Sequence, residues 1–594
     1  MPGYAWPNLA AMFFEQVDRL GDRPFLWAKR EGVYKPLSWG DAAARVTAKT
    51  RALRMLGIKP GDRVMLVSEN RPAWLIGDLA AMSAGAITVP AYITNTVADH
   101  RHVLTDSGAK GVFVSNKRLA ERVLEAAIGA PDLKFVIAME RPDTAPPPGI
   151  RLVMHAEAQE MGRSGHENVV ELVRRWGPDD TACIIYTSGT GGLPKGVMLS
   201  HKAIMHNCMG ARDALLEIGL DEETFLSFLP LSHSYEHTAG QFFPISIGAE
   251  IYYAEGVEQL GSNMIEARPT IMTAVPRLYE MLHQRISQGV RKTGGSKEKL
   301  FDKAVTLGRK RHTGERLGLF EKIQDAVLDR LVRDKVRQRF GGRLKALVSG
   351  GAPLNPEIGI FFTALGLRIL QGYGQTETAP VVSVNRPSLV KMHTVGPPLL
   401  DTQVKIAPDG EILVAGDLVM QGYWKNDQAT RETIVDGWVH TGDIGEFDKD
   451  GYLAITDRKK DIIVNSGGDN LAPQRVEGIL CMEPEIAQAM VYGDKRPHIV
   501  ALLVPDEAWL KSWAKANGKP DDLAGLVGDA DLAKALSAVV DRVNKGLSNI
   551  EKVRRFTLAD APFTIDNGQM TPTVKIRRHK IKEQYGKRLE QLYR

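Results

Sequence analysis

Residues 186 to 196 place hydroxyl groups, glycines and a lysine side by side, in the order Tyr-Thr-Ser-Gly-Thr-Gly-Gly-Leu-Pro-Lys-Gly. The hydroxyls can donate hydrogen bonds, and the glycines let the backbone turn tightly and bring its N–H groups close to an anion. These residues are Thr187, Ser188, Gly189, Thr190, Gly191 and Gly192. Because Lys195 adds a positive charge, the stretch is suited to binding a polyphosphate.

The loop follows an apolar run, Ala182 to Tyr186, so we expect it to leave a buried strand. It is not the Walker P-loop, which needs Gly-Lys-Ser/Thr, because Pro194 precedes the lysine and Gly196 follows it. The alternative is a flexible Gly/Ser surface loop. The motifs described next favour the nucleotide.

A second motif, Gly372-Tyr373-Gly374-Gln375-Thr376-Glu377, follows the largely apolar residues 367 to 370. A strand that ends in a glycine-containing turn is where α/β proteins place ligand groups. Tyr373 offers a ring for stacking on a base, and Thr376 offers a hydroxyl to a phosphate. Glu377 is a hard carboxylate suited to Mg²⁺, which bridges phosphates through few protein ligands.

Two further stretches fit the rest of a nucleotide. The small residues of Ser349-Gly350-Gly351-Ala352-Pro353 allow a close backbone approach, although alone they would be an ordinary strand-to-helix turn. Asp443, in Thr441-Gly442-Asp443, is the residue type that accepts hydrogen bonds from both ribose hydroxyls. Its alternative is a capping aspartate in an ion pair with Arg458.

These motifs resemble those of the adenylate-forming enzymes, the acyl-CoA synthetase and luciferase superfamily. The family loop reads Thr-Ser-Gly-Thr-Thr-Gly-x-Pro-Lys-Gly, and this chain departs from it at Gly191, where a second threonine is common. The family motif Tyr-Gly-x-Thr-Glu matches residues 373 to 377 in full. The resemblance implies that residues 187 to 195 hold the phosphates of ATP, that Gly350, Gly351 and Ala352 lie against adenine, and that Asp443 and Arg458 bind the ribose.

The resemblance also assigns residues to the acyl group and to coenzyme A. Lys575 aligns with a lysine on the mobile small domain, which places a cation between the substrate carboxylate and the α-phosphate. His233, in Leu-Pro-Leu-Ser-His-Ser-Tyr-Glu-His, matches a histidine beside the reacting carboxylate of long-chain fatty acyl-CoA synthetases. Ser466, Gly467 and Gly468 match the loop that borders the pantetheine tunnel.

The segment from about Arg285 to Lys345 looks like an insertion found in long-chain synthetases. It contains 18 Lys and Arg against seven Asp and Glu, so the positive charge of the chain is concentrated there. Residues Phe320, Ile323, Val327 and Leu331 fall at helical spacing, which predicts an apolar stripe beneath a basic face. One hypothesis is peripheral contact with an anionic membrane. The alternative is a helix packed on the core with a solvated charged face.

Composition agrees with a globular protein in a reducing compartment. The chain has 594 residues, of which 43% are hydrophobic, and its net charge of +5 does not predict a nucleic-acid partner. Cys183, Cys208 and Cys481 are widely spaced, with neither a disulfide framework nor metal-ligand spacing. We find no signal peptide and no apolar run of roughly 18 residues, so we expect a cytoplasmic protein, peripheral at the inner face of the cell membrane if the lipid hypothesis holds.

Alternating strand and helix patterns from Gly61 onward predict an α/β protein with parallel sheets. Expected strands include Val64–Val67, Ile87–Pro90, Glu250–Tyr253 and Ala346–Ser349. After about Gly396, short strands and Gly/Asp turns predict a β-rich subdomain. We therefore expect a large domain over residues 1–456, a hinge at 457–462 and a small mobile α+β domain at 463–594.

The sequence thus predicts an ATP-dependent fatty acid–CoA ligase that works through an acyl-adenylate with Mg²⁺. Two alternatives stay open, a fatty acyl-AMP ligase that passes the acyl group to a carrier protein and a CoA ligase for a shorter or aryl acid. A third, a non-catalytic acyl-binding protein, disagrees with the presence of the lysine, the carboxylate and the phosphate loop. The preferred chain length and the oligomeric state do not follow from the sequence.

Overall fold

The computed structural model describes residues 6–187, 193–459, 462–466, 470–571 and 576–594. The strands in chain order are β1 (Pro24–Arg30), β2 (Val33–Ser38), β3 (Arg63–Val67), β4 (Ile87–Pro90), β5 (Ala109–Val114), β6 (Phe135–Ala138), β7 (Arg151–Met154), β8 (Thr181–Thr187), β9 (Lys195–Ser200), β10 (Thr224–Ser227), β11 (Glu250–Tyr253), β12 (Ile271–Ala274), β13 (Ala346–Ser349), β14 (Ile369–Gly374), β15 (Val381–Val384), β16 (Gln403–Ile406), β17 (Glu411–Ala415), β18 (Gly422–Tyr423), β19 (Ile434–Val435), β20 (Trp438–Phe447), β21 (Leu453–Arg458), β22 (Ile463–Val464), β23 (Asn470–Leu471), β24 (Ile486–Tyr492), β25 (Ile499–Pro505) and β26 (Val553–Leu558).

The helices in chain order are α1 (Leu9–Leu20), α2 (Trp39–Met55), α3 (Pro72–Ser83), α4 (Val97–Ser107), α5 (Lys117–Ala126), α6 (His155–Arg163), α7 (Val169–Val173), α8 (His201–Leu215), α9 (Phe243–Ile247), α10 (Leu260–Ala267), α11 (Pro276–Thr293), α12 (Gly295–His312), α13 (Leu319–Leu328), α14 (Asp334–Arg339), α15 (Pro356–Ala364), α16 (Asp427–Thr433), α17 (Pro473–Leu480), α18 (Glu507–Ala516), α19 (Leu523–Leu526), α20 (Ala530–Asn544) and α21 (Arg578–Gln591). Two π-helical segments, Glu236–Phe242 and Asp329–Arg333, and two 3₁₀ turns, Leu216–Ile218 and Thr376–Thr378, complete the helical structure of the described residues.

Two eight-stranded sheets form the centre of the large domain. Their strand orders are β15-β14-β13-β12-β10-β11-β1-β2 and β18-β9-β8-β4-β3-β5-β6-β7. The inner strands of the first sheet are parallel, with antiparallel strands β15 and β2 at its edges; in the second, β9 and β18 form an antiparallel extension. The predicted strands β3, β4, β8, β11 and β13 are confirmed, with ends that differ by at most one residue.

Strand β8 illustrates why these sheets form from this sequence. Its residues Ala182 to Tyr186 are all buried, as expected for an inner strand covered on both faces. Local capping signals begin the covering helices. The side chains of Ser38, Thr96 and Ser200 each accept an N–H from the first turn of α2, α4 and α8.

The last part of the chain has the predicted β-rich texture. Strands β16, β17, β20, β19 and β21 form a five-stranded antiparallel sheet, and β24, β25 and β26 form a three-stranded sheet covered by helices α17, α20 and α21. The α/β fold class is confirmed. Within the described ranges, every helix is too short or too polar to cross a lipid bilayer.

Candidate active site

Strands β8 and β9 form an antiparallel hairpin that brackets the glycine-rich loop. Thr187, the last residue of β8, lies opposite Lys195, the first residue of β9. The predicted phosphate-binding residues Ser188, Gly189, Thr190, Gly191 and Gly192 lie outside the described residues. The hairpin therefore fixes where this loop begins and ends.

Lys195 and Glu377 are joined through a tyrosine that the sequence analysis missed. The Lys195 ammonium lies 4.1 Å from the centroid of the Tyr423 ring, which is a cation–π distance. The hydroxyl of Tyr423 donates a hydrogen bond to Glu377 Oε1 at 2.8 Å. Burial, with the neighbouring carboxylate, raises the pKa of Tyr423, so the hydroxyl keeps the proton that it donates.

Strand pairing brings Tyr423 to this position. The two-residue strand β18 adds to the edge of the sheet beside β9, with Tyr423 opposite Val197. Strands β9 and β18 are more than two hundred residues apart in the chain, so the sequence offers only the short Gly422-Tyr423 pair as a sign that they meet. A tyrosine directly after glycine in a short extended segment is too common to single out.

Glu377 has the chemistry of a magnesium ligand. Its Oε2 has no protein hydrogen-bond donor in the part of the chain that the structure describes, whereas Oε1 is held by Tyr423. A half-buried carboxylate with one such oxygen fits Mg²⁺, which takes one or two protein carboxylates together with phosphate oxygens. Among the described residues, no group of three or more His, Cys, Asp or Glu could hold a metal ion by itself.

The turn that carries Thr376 and Glu377 is held from two sides. The hydroxyls of Thr376 and Ser234 share a hydrogen bond of 3.0 Å, and Thr238 donates to the carbonyl of Ala379 at 3.1 Å. Gly374 is required here, because a Cβ atom would lie 1.8 Å from the carbonyl oxygen of Pro380. The turn therefore has little freedom to move relative to the π-helix Glu236–Phe242.

His233 lies just before that π-helix, half-buried between buried neighbours. Its Nδ1 accepts a hydrogen bond of 3.2 Å from the backbone N–H of Tyr235. A neutral imidazole whose Nδ1 is an acceptor carries its proton on Nε2. His233 is therefore oriented as a donor through Nε2.

Tyr235 connects this segment to the predicted adenine-binding residues. Its hydroxyl donates to the carbonyl of Val348 at 2.9 Å, and its ring lies 3.0 Å from where a Cβ of Gly350 would be. Gly351 has a φ of +81°, a left-handed conformation that favours glycine. With Ala352 these residues form the turn directly after β13, at the carboxyl end of the sheet.

The predicted ribose-binding residues lie together. Asp443 in β20 pairs directly with Arg458 in β21, and the Arg458 Nε is 3.4 Å from Asp443 Oδ1. The hydroxyl of Tyr373 donates to Asp443 Oδ2 at 2.7 Å. Burial and the Asp443 carboxylate raise the pKa of Tyr373, so this hydroxyl is a donor at neutral pH. Tyr373 therefore contacts Asp443, while its predicted stacking on a base stays a prediction.

A second acidic residue supports Asp443 and was not predicted. The backbone N–H of Gly442 donates to Glu411 Oε1 at 2.9 Å, and Lys459 lies 3.0 Å from Glu411 Oε2. Burial opposes ionisation of Glu411, but these contacts outweigh it and lower its pKa. Glu411 therefore holds the turn before Asp443 as a carboxylate.

Four predicted residues belong to the small domain, and Ser466 is the one among them that the structure describes. The backbone N–H of Ser466, which is exposed, donates to the carbonyl of Arg496 at 3.0 Å. Gly467, Gly468 and Lys575 lie outside the described residues. Met570 forms a β-bridge with Ile576, so the chain on both sides of Lys575 is antiparallel.

Comparison with known protein families shows which family the chain matches. Residues 13–424 match the AMP-binding enzyme family, and residues 460–594 match the AMP-binding enzyme C-terminal domain. This chain belongs to the AMP-binding enzyme family.

Curated relatives of this AMP-binding enzyme match it over nearly its full length. It is 36% identical to the long-chain-fatty-acid–CoA ligase FadD15 of Mycobacterium bovis, with 99% of this chain and 97% of the relative covered. It is 32% identical to the peroxisomal long chain acyl-CoA synthetase 6 of Arabidopsis thaliana, with 95% of this chain and 82% of the relative covered.

Solved structures of low sequence identity share the fold of this AMP-binding enzyme. The adenylation domain of a carboxylate reductase from Mycobacterium chelonae gives a TM-score of 0.79 at 22% identity, covering 100% of this chain and 92% of that one. MatB from Rhodopseudomonas palustris, solved with ATP bound, gives a TM-score of 0.71 at 21% identity, covering 99% and 100%. The adenylate-forming fold expected from the sequence is therefore confirmed.

Proposed function

We propose that this enzyme joins a long-chain fatty acid to coenzyme A at the expense of ATP, through an acyl-adenylate. The observation that carries the proposal is the full-length match to long-chain-fatty-acid–CoA ligases. The geometry supports the chemistry, because Lys195 and Glu377 meet at Tyr423 beside the glycine-rich loop, and Tyr373, in the same motif as Glu377, contacts Asp443.

In the first half-reaction a carboxylate oxygen of the fatty acid attacks the α-phosphorus of ATP. The bond from that phosphorus to the bridging oxygen breaks, and pyrophosphate leaves. Two anions approach each other, so cations must offset the repulsion and the charge that builds on phosphate oxygens. We assign this role to Lys575, to Lys195 and to the N–H and hydroxyl groups of residues 187 to 192.

Magnesium, when bound, neutralises phosphate charge and orients the pyrophosphate leaving group. Glu377 would hold it, with Tyr423 fixing the carboxylate. Thr376 is assigned to a phosphate of ATP, and His233 to the acyl carboxylate, to which its Nε2–H can donate. Gly350, Gly351, Ala352, Tyr373 and Gly374 are assigned to adenine, and Asp443 and Arg458 to the ribose hydroxyls.

In the second half-reaction the thiolate of coenzyme A attacks the acyl carbon, and AMP leaves with the electron pair of the broken C–O bond. We propose that residues 463–594 rotate about a hinge at 457–462 between the two steps, relative to a large domain over residues 1–456. The rotation would withdraw Lys575 and present Ser466, Gly467 and Gly468, where glycines leave room for the pantetheine arm. Of the hinge, residues 460 and 461 lie outside the described residues.

The decisive experiment measures pyrophosphate release and acyl-CoA formation with ATP and Mg²⁺ over acids of increasing chain length, with and without coenzyme A. Acyl-CoA formation that peaks with long-chain acids is the expected result. Pyrophosphate exchange without acyl-CoA would move the acceptor to a carrier protein. Acyl-CoA formation that peaks with short-chain or aryl acids would show that the substrate is not a long-chain fatty acid.

We also propose that the enzyme works at an anionic membrane surface on the cytoplasmic side, where long-chain acids partition. The basic segment from 285 to 345 supports this, since each surface Lys or Arg contributes about 1 kcal/mol near anionic lipid.

A further inference from the structure

Helix α13 and the π-helical turn after it expose a row of large apolar side chains. Their exposed fractions are 83% for Leu319, 71% for Phe320, 65% for Ile323, 51% for Val327 and 47% for Leu331. From Phe320 onward they are spaced three or four residues apart, and Leu319 is four residues before Ile323, so they lie on one side of the helix. We call these five residues the exposed stripe.

The exposed stripe is not the face that attaches α13 to the protein. Leu328 is buried against Ala304 and Leu307 of α12, with Leu317 and Val332 packed around them. The helix therefore has a separate inner apolar face, which already provides the hydrophobic contact needed for docking. Burying the stripe elsewhere would add stability, so its exposure marks a surface that meets something outside the chain.

The acidic residues of the inner and lateral faces are neutralised by intramolecular ion pairs. Glu321 lies 2.8 Å from Lys310 and Asp325 lies 2.6 Å from Arg333. Asp329 lies 2.8 Å from Arg337. Carboxylates that would repel an anionic surface are therefore compensated within the protein.

Cations remain around the stripe. Arg316, Lys322, Arg330 and Lys335 are exposed and form no ion pair with any described residue. Lys322 directly precedes Ile323, and Arg330 directly precedes Leu331, so apolar and basic side chains alternate along this surface. An apolar stripe with uncompensated cations beside it matches the interface of an anionic bilayer, where acyl chains lie below phosphate groups.

We propose that the exposed stripe inserts into the headgroup region of an anionic membrane, with Lys322 and Arg330 binding lipid phosphates. This inference deepens the proposed function by naming the surface that contacts the lipid. It also corrects the sequence prediction, in which the stripe lay beneath the basic face. The helix does pack on the protein, as the alternative expected, but through Leu328, whereas Phe320, Ile323, Val327 and Leu331 are exposed.

A second copy of the chain is a poorer occupant. A two-fold contact through this helix would place the same cations of both copies against each other, which is repulsive. A stable interface also needs roughly 20–30 residues a side, whereas the stripe comprises five on a short helix.

The experiment is co-sedimentation of the full chain with vesicles of phosphatidylcholine alone and of phosphatidylcholine mixed with phosphatidylglycerol. A stripe variant carries Phe320→Ser, Ile323→Ser and Val327→Ser; a charge variant carries Lys322→Glu and Arg330→Glu. These cations are preferable to Arg309, Lys310 and Arg311, which form ion pairs with Glu357, Glu321 and Asp325, so reversing them would also break internal contacts.

Two control variants carry the same kinds of substitution at other surfaces, so they show whether a loss of binding depends on where the residues lie. Val33→Ser with Ile128→Ser removes equally exposed apolar residues at other surfaces, and Lys515→Glu with Lys534→Glu reverses two exposed cations of the small domain. Wild type and both controls are expected to sediment with the anionic vesicles. The stripe variant should bind at least about tenfold more weakly on both vesicle types. The charge variant should lose only the preference for phosphatidylglycerol, as should wild type at high salt.

Binding by the stripe variant equal to that of wild type would overturn the inference. So would a concentration-dependent dimer that the stripe variant abolishes without any vesicle binding, which would assign the stripe to a second copy. Acyl-CoA formation from a soluble acid without vesicles should be unchanged in the stripe variant. Loss of vesicle binding by a stripe variant that keeps its activity would support the membrane-contacting surface. If wild type showed no acyl-CoA formation, that result would count against the proposed reaction only.

Discussion

At the scale of single residues, the candidate site depends on contacts between motifs that are far apart in the chain. The ring of Tyr423 contacts Lys195 and its hydroxyl donates to Glu377, so one side chain fixes a cation of the proposed phosphate loop and the proposed magnesium ligand. Tyr373 similarly fixes Asp443 from the other motif. Each tyrosine orients a charged residue that is assigned to substrate.

Replacing the Tyr423 hydroxyl should slow adenylation. Tyr423→Phe keeps the ring beside Lys195 but removes a hydrogen bond to a carboxylate, which contributes about 1.5–3 kcal/mol, so kcat/KM should fall about tenfold or more. ATP–pyrophosphate exchange measures this. Tyr34→Phe, whose hydroxyl bonds to the Tyr253 carbonyl, is the control and should exchange normally. If Tyr423→Phe catalysed ATP–pyrophosphate exchange at the wild-type rate, Tyr423 would have no role in adenylation.

Lys575→Ala should separate the two half-reactions. A cation between carboxylate and α-phosphate is needed only while the adenylate forms, so pyrophosphate exchange should be lost. Thioester formation from supplied acyl-AMP should remain largely intact. Lys580→Ala, which removes a nearby exposed lysine paired with Glu583, should leave both steps unchanged. Equal loss of both steps in Lys575→Ala would contradict the assigned role.

At the scale of elements, the π-helix Glu236–Phe242 organises the centre of the site. Glu236 is fully buried and accepts a hydrogen bond of 2.6 Å from Thr273 in β12. Gly240 lets the carboxyl lie against the helix, since a Cβ there would be 2.3 Å from Glu236 Oε1. The next residue, His237, has its Nε2 atom 2.9 Å from Oδ2 of the buried Asp78.

The ionisation of Glu236 should make stability depend on pH. Burial raises its pKa from 4.5 to about 7, despite hydrogen bonds from Ser227 and Thr273 that lower it. The folded protein therefore keeps a proton that the unfolded chain loses, so this residue's contribution falls as pH rises from 4.5 to about 7. The difference is at most about 3 kcal/mol.

Glu236→Gln should remove that dependence, because an amide does not ionise. The thermal midpoint of the variant, relative to wild type, is expected to rise with pH across this window and then level off. Exposed Glu258→Gln is the matched control and should follow wild type at every pH. Parallel curves for wild type and Glu236→Gln would show that the carboxyl does not titrate in this range.

The turn after β14 should not tolerate a methyl group. Gly374→Ala would place Cβ against the Pro380 carbonyl, so the turn must shift and carry Thr376 and Glu377 with it. We expect a lower thermal midpoint and lower pyrophosphate exchange. Gly289→Ala, in helix α11 with open space around it, should instead add about 0.5–1 kcal/mol and leave exchange unchanged. Normal exchange in Gly374→Ala would mean that the position of this turn is not critical.

At the scale of the whole molecule, the small domain touches the large one beside α11. Arg277 donates to the carbonyl of Ala487 at 3.4 Å, and Met482 packs against the hydrophobic core that contains Leu278 and Tyr279. Cys481 lies in the same contact, where burial together with Glu280 raises its pKa to about 12. If the small domain rotates between steps, this contact belongs to one orientation only.

Weakening the contact should therefore affect one half-reaction more than the other. Met482→Ser removes apolar packing in this orientation, so the step that uses it should slow severalfold while the other is maintained. Single-turnover adenylation and acyl transfer from supplied acyl-AMP measure the two steps. Lys552→Ser, at another surface of the small domain, serves as the control. An equal effect of Met482→Ser on both steps would contradict rotation.

Much of the fold, and part of the arrangement of the proposed site residues, could be predicted from the sequence by itself. Strands such as Ile87–Pro90 and Ala346–Ser349 follow from apolar runs between turn residues, because local chain preferences and burial agree there. The pairing of Asp443 with Arg458 could also be predicted, because both residues lie on neighbouring strands of one hairpin.

Only the tertiary structure decided which distant side chains meet and which faces remain exposed. Tyr423 reaches Glu377 through the pairing of β18 with β9, and hydrogen bonding between strands distant in sequence leaves no periodic signal. The stripe on α13 has the spacing of a core-facing helix, yet Leu328 occupies the core and Phe320 is exposed. Periodicity reports that an apolar face exists, whereas only packing determines what covers it.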